Sequence, residues 1–159
     1  MNTEKMDLTP FCMKARAFLK QGRMDDALGL YADVLRIDPD HALAYADRGT
    51  VHAMQKQFDL ALADLDRAFA LGHAQSAAYS TAGTICLETR DHERALGYYA
   101  RAIELDPAYP YTYYNRANVY QELGNKEAAL ADLDTCLGFN PPDDFRQLVM
   151  KRIAEVGQS

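Results

Sequence analysis

The 159-residue sequence contains no tryptophan, three cysteines, nine glycines and six prolines. It has no apolar run near the roughly 18 residues that a membrane-spanning helix requires. Basic residues are outnumbered, 17 Lys and Arg against 23 Asp and Glu, for a net charge of −6. A nucleic-acid binder normally carries a basic face, so that class is disfavoured, as is docking on an anionic membrane. The cysteines (Cys12, Cys86 and Cys136) are odd in number and far apart, with no CxxC pair. That excludes a disulfide framework or a zinc site of ordinary spacing. The lead of residues 1–7 runs into no apolar stretch and reads as no secretory signal, so the expected compartment is the cytoplasm. No phosphate-binding glycine loop, GxSxG or HExxH is present, and the four histidines (His41, His52, His73 and His92) are scattered. No enzyme activity, metal or cofactor is expected.

What is present is a repeat with a constant period of 34 and no insertion or deletion. Alanine recurs at Ala27, Ala61, Ala95 and Ala129, and an aromatic at Phe11, Tyr45, Tyr79 and Tyr113. Small residues recur at Ala15, Gly49, Gly83 and Ala117, and bulky ones at Tyr31, Leu65, Tyr99 and Leu133. Proline closes three units, at Pro39, Pro107 and Pro141, with His73 in the remaining register. The units are 8–41, 42–75, 76–109 and 110–143. Within each, apolar steps of three and four mark two helix faces, separated by breaks such as Gln21-Gly22-Arg23 and Leu123-Gly124-Asn125. Glycine suits the left-handed residue that ends a helix, and the residue before proline leaves the helical region. Each unit therefore reads as two antiparallel helices and a turn. Thr9 is expected as the N-cap of the first helix, with Pro10 in its first turn. Residues 144–157 read as a capping helix with a stripe of Phe145, Leu148, Val149, Ile153 and Val156.

These columns resemble the tetratricopeptide repeat family over residues 8 to 143, and unit three carries the signature nearly complete in Tyr79, Gly83, Ala95, Tyr99, Ala102 and Pro107. Unit two departs from it, with His52 in an aromatic column and Leu71-Gly72-His73 in place of the closing proline. The resemblance implies an all-α, right-handed superhelical solenoid of four helix-turn-helix repeats plus the capping helix. It also implies a non-catalytic scaffold or adaptor that binds a peptide or helix of another protein in a concave groove. The alternatives are a self-assembling structural module, which would be a homo-oligomer, or a chaperone for exported or unassembled subunits.

Carried onto this sequence, the groove-facing side of each first helix offers Cys12, Arg16 and Lys20, then Thr50, then Thr84 and Glu88, then Tyr111, Tyr114, Asn118 and Glu122. Arg16 and Lys20 are expected to meet acidic partner residues, and Thr50, Thr84, Asn118 and Glu122 to line the groove. Seven of ten tyrosines fall between Tyr98 and Tyr120, and the columns leave Tyr111 and Tyr114 without a packing role, which makes them contact candidates. The family's clamp for a chaperone C-terminal carboxylate has no match, since its positions hold Cys12, Arg16, Asp47, Ala77 and Thr81. Asp59, Asp64, Asp66, Asp132 and Asp134 read as a solvated face of the second helices, Cys86 and Cys136 as inert packing residues, and Cys12 as exposed. Net charge runs 0, −1, −2 and −3 along the four units, so the proposed groove has a polar axis.

Overall fold

The computed structural model describes residues 6–73 and 75–158. Among these the chain forms nine α-helices and no strand. It divides into two compact units, Met1–Ala74 and Gln75–Ser159. The first contains α1 (Thr9–Lys20), α2 (Met24–Ile37), α3 (Ala42–Met54) and α4 (Phe58–Ala70). The second contains α5 (Ser76–Glu88), α6 (His92–Leu105), α7 (Pro110–Glu122), α8 (Lys126–Gly138) and α9 (Asp143–Gln158). In each unit consecutive helices pair into hairpins, α1 with α2, α3 with α4, α5 with α6 and α7 with α8, and α9 packs on α8.

The turn inside each hairpin is set by one left-handed residue. Gly22, Lys56, Arg90 and Gly124 occupy the same register of the four repeats, with φ of 74°, 58°, 61° and 72°. Just past this residue an amide donates back to a carbonyl of the last helical turn, as Arg23 to Phe18 O and Asp91 to Cys86 O do. This bonding satisfies carbonyls that a helix end otherwise leaves orphaned. The second helices end in two ways. Asp38 and Asp106 are extended before their prolines. Gly72 and Asn140 are left-handed, at φ 85° and 51°. Gly72 thus ends α4 without a proline. Asn140, expected to leave the helical region before Pro141, does so as a left-handed residue, a conformation asparagine tolerates better than most.

The small and large columns form the core. Ala27, Ala61, Ala95 and Ala129 are fully buried, as are Tyr31, Leu65, Tyr99 and Leu133. At Gly83 the space is filled by a side chain of the paired helix: a Cβ there would lie 2.8 Å from Cε1 of Tyr99. The ring cannot retreat, because Tyr99 is fully buried and its hydroxyl is tied to Thr84 Oγ1 at 3.0 Å. At Gly49 a Cβ would stand 3.0 Å from Ala61 O and from Leu65 Cγ.

Some expectations are corrected at the edges. Thr9 is not the cap of α1 but its first residue, and its amide donates to Asp7 Oδ1 at 3.0 Å. Phe11, in the aromatic column of the first repeat, is exposed. Leu148 is also exposed, while Phe145, Val149 and Val156 are buried, so the seam of α9 is narrower than its apolar stripe.

The larger correction concerns the aspartates. Asp64 and Asp132 are buried, 7% and 6% exposed, rather than part of a solvated face. Each accepts a two-pronged bond from an arginine on the partner helix of its hairpin. Arg48 Nε and Nη2 reach Asp64 at 2.7 Å, and Arg116 reaches Asp132 at 2.7 Å. Removing one member of such a pair leaves a half-buried charge without its counterion.

Overpacking a filled site costs about 1–3 kcal/mol, and Gly83→Ala and Ala95→Leu are each expected to destabilise the chain by that amount in urea unfolding. Unchanged midpoints would show that the helices do not meet at these columns. Asp132→Ala is expected to cost about 3 kcal/mol, at the lower end for a broken buried pair because Arg116 keeps some solvent contact. Asp134→Ala, two residues along on the exposed side, is expected to change stability by less than about 0.5 kcal/mol. Equal effects of the two would contradict the bridge.

Candidate functional site

The first helix of a hairpin packs one side and leaves the other free. In α7, Tyr113 and Ala117 are buried against α8, which leaves Tyr111, Tyr114, Asn118 and Glu122 on a separate stripe. The far end of that stripe opens into a cleft of about 600 Å³ in the second unit. Leu87, Glu88 and Arg90, from the end of α5 and its turn, form one wall, and Asn118, Gln121 and Glu122 of α7 form another. Arg152 of α9 closes the cleft.

The polar groups here differ in how far they are already engaged. Arg152 donates to Gln121 Oε1 at 3.0 Å and to the Tyr114 hydroxyl at 3.4 Å, and pairs with Glu155 at 3.5 Å. Glu122 is bonded to His92 Nε2 at 2.8 Å. Asn118 Oδ1 is buried and has no hydrogen-bond partner among the described residues. Glu88 is exposed, with no ion pair or hydrogen bond among the described residues.

Tyr111 and Tyr114 do have a packing role. Tyr111 stacks on Phe145 of α9 with centroids 4.1 Å apart, and Tyr114 meets the same ring edge-on at 5.4 Å. Tyr111 remains 39% exposed, so α9 covers it only in part. Thr84 donates to Ser80 O and also bonds the Tyr99 hydroxyl, whose pKa burial pushes up to about 12. It supports the wall of α5.

The remaining candidates belong to the first unit. Arg16 donates through Nε and Nη2 to both carboxylate oxygens of Asp47 at 2.8 Å. The Tyr31 hydroxyl also donates to Asp47, at 3.3 Å. Arg16, expected to await an acidic partner, therefore already holds a carboxylate of its own chain. Lys20 is exposed in the last turn of α1, and the Thr50 hydroxyl donates to Ala46 O. Cys12, expected to be exposed, is fully buried.

Sequence reasoning alone does not find Arg152, Gln121 and Arg90, which only the docking of α9 and the turn geometry bring to the cleft. It also overlooks the two arginine–aspartate bridges, although their signal is present: Arg48 and Asp64 recur as Arg116 and Asp132 two units further on.

No group of three or more His, Cys, Asp or Glu that could hold a metal occurs among the described residues. No described helix is long and apolar enough to cross a membrane.

Two models of the tetratricopeptide repeat family match residues 12–76 and 82–154, and the chain belongs to that family. Its fold is shared by solved structures of low sequence identity. A crystal structure of MamA protein is 20% identical with a TM-score of 0.82, covering 95% of this chain and 82% of that one. YrrB, a TPR protein with an unusual peptide-binding site, is 21% identical with a TM-score of 0.60, covering 93% and 94%. The first TPR of Spaghetti (RPAP3), bound to the HSP90 peptide SRMEEVD, is 24% identical with a TM-score of 0.71, covering 77% and 98%.

Burial lifts the pKa of the Cys12 and Cys136 thiols to about 11, which keeps them protonated at neutral pH. Native protein at pH 8 is therefore expected to leave a thiol reagent unconsumed, while all the cysteines react on unfolding. Because these thiols lose their protons more readily in the unfolded chain, their contribution to stability is complete below about pH 8.5 and declines as pH rises beyond it. Rapid labelling of the native chain, mapped to Cys12, would place that thiol at the surface after all.

Proposed function

We propose that this chain is a non-catalytic protein-binding module that takes a peptide or helix of a partner along the free sides of its first helices. The observation that carries this reading is the cleft in the second unit. It is open and walled by two first helices, and its lining sets apolar Leu87 beside the polar side chains of Glu88, Arg90, Gln121 and Glu122. Asn118 and Glu122 are the central contacts in this proposal, with Thr84, Tyr111 and Tyr114 holding the walls. Arg16, Lys20 and Thr50 would form a separate contact surface in the first unit, where Arg16 acts through its bridge to Asp47.

Peptide binding by YrrB and by the first TPR of Spaghetti supports the general reading. The acidic HSP90 peptide itself is not carried over, because the positions of the family's carboxylate clamp hold Cys12, Arg16, Asp47, Ala77 and Thr81 here. A scaffold or adaptor role follows if the bound segment belongs to a second protein.

A photo-crosslinking residue at Gln121, inside the cleft, is expected to trap a partner polypeptide in cells, whereas one at Glu127 on α8 is not. Equal crosslinking from both positions would remove the cleft as the binding surface.

A further inference from the structure

We propose that the outer face of α2 in one copy of this chain docks on the outer face of α6 in a second copy. The two faces carry mirrored charge in the same register. On α2 and the residue before it, Arg23, Asp26, Asp33 and Arg36 read basic, acidic, acidic, basic. Two repeats further on, Asp91, Arg94, Arg101 and Glu104 read acidic, basic, basic, acidic. Seven of the eight are exposed and Asp91 is half-buried. The pattern reads the same in both directions. Every basic residue therefore meets an acidic one whether the two helices lie parallel or antiparallel. The other second helices do not share it: the register holds Gln57, Leu60, Arg67 and Ala70 on α4, and Asn125, Ala128, Thr135 and Gly138 on α8.

Within each face the charges pair only along their own helix. Arg23 meets Asp26 at 2.7 Å, Arg36 meets Asp33 at 3.0 Å, Arg94 meets Asp91 at 3.8 Å, and Arg101 pairs with Glu104. Exposed pairs of this kind contribute little by themselves, and a second helix laid across them joins them into networks. One like-charged pair remains, Asp25 and Glu93, about 100° round each helix from Asp26 and Arg94, at the solvent margin of the contact.

The middle of each face is open. Gly29 and Gly97 share a register, and a Cβ at either would meet nothing within 4 Å, so the packing that demands Gly49 and Gly83 does not act here. Above Gly97 lies a groove of about 360 Å³ lined by Tyr79, Arg94, Gly97, Tyr98 and Arg101, with the two tyrosine rings 6.4 Å apart. Leu30, beside Gly29 and between the charged ends of α2, is the apolar side chain that the docked copy offers to this groove. These faces use none of the residues that line the cleft of the second unit, so the contact does not depend on that site.

A contact below about 1,200 Å² is a weak one, so the molar mass of the full chain is read by sedimentation equilibrium up to about 1 mM. The mass is expected to rise above that of the monomer with concentration. It is expected to fall back in about 1 M salt, where charges are screened beyond about 3 Å. Asp26→Lys with Asp33→Lys, and Arg94→Glu with Arg101→Glu, are each expected to weaken association roughly tenfold, since each sets four like charges against a mixed face. An equimolar mixture of the two double variants is expected to associate again, which also shows that both are folded. Gly97→Leu fills the groove with a better helix former in open space, and is expected to weaken association while circular dichroism stays unchanged. A wild-type chain that remains monomeric throughout overturns the proposal. So does wild-type association in either charge variant or in Gly97→Leu, or a mixture of the charge variants that stays monomeric.

Discussion

The closeness with which paired helices approach one another fixes most of this architecture. At Gly83 there is no room for one more carbon, because the buried ring of Tyr99 lies against the backbone and is held by Thr84. Close approach removes apolar surface from water and raises contact density, but it also fixes rotation. Once α5 must present Gly83 to Tyr99, its other residues have no choice of direction. The exposed side that includes Glu88 follows from the buried one, and the same holds for α7, where Ala117 and Leu133 are buried against each other's helices.

Beneath the single repeat lies a second one of twice its length. The second helices alternate between two sequences, Ala27-Leu28-Gly29 and Ala95-Leu96-Gly97 on one side, and Ala61-Leu62-Ala63-Asp64 and Ala129-Leu130-Ala131-Asp132 on the other. The alternation is structural as well. Tyr31 and Tyr99 are buried tyrosines whose hydroxyls find Asp47 and Thr84 on first helices. Leu65 and Leu133 carry no hydroxyl, and polar contact in their hairpins runs instead through Arg48–Asp64 and Arg116–Asp132. The helix ends alternate in step: Asp38 and Asp106 extended before proline, Gly72 and Asn140 left-handed. A buried polar group needs a partner wherever it is placed, and the two hairpin types place it on different side chains.

The helices were legible because spacing is a one-dimensional signal. Steps of three and four, glycine at Gly22 and Gly124, and the Asp-Pro pairs all sit in the local chain. Left-handed Lys56 and Arg90 show where that signal weakens: the column requires the conformation, and neighbouring contacts impose it on residues that do not prefer it. Long-range pairing was harder to see. Asp64 and Asp132 read as solvated because charge on a second helix usually is, and only the arginine on the first helix of the same hairpin lets each be buried. The same holds for Tyr111 and Tyr114, whose partner Phe145 lies on a helix that the repeat columns do not describe.

The capping helix therefore does more than cover an end. The free stripe of α7 runs from Tyr111 through Tyr114 to Asn118 and Glu122, and α9 treats its two ends differently. Phe145 lies against the aromatic end, removing much of the apolar surface that would otherwise attract partners without discrimination. Further along, Arg152 reaches the Tyr114 hydroxyl and Gln121 and closes one side of a cleft that remains open to solvent. Apolar area is used to hold α9, and the polar end stays open to solvent.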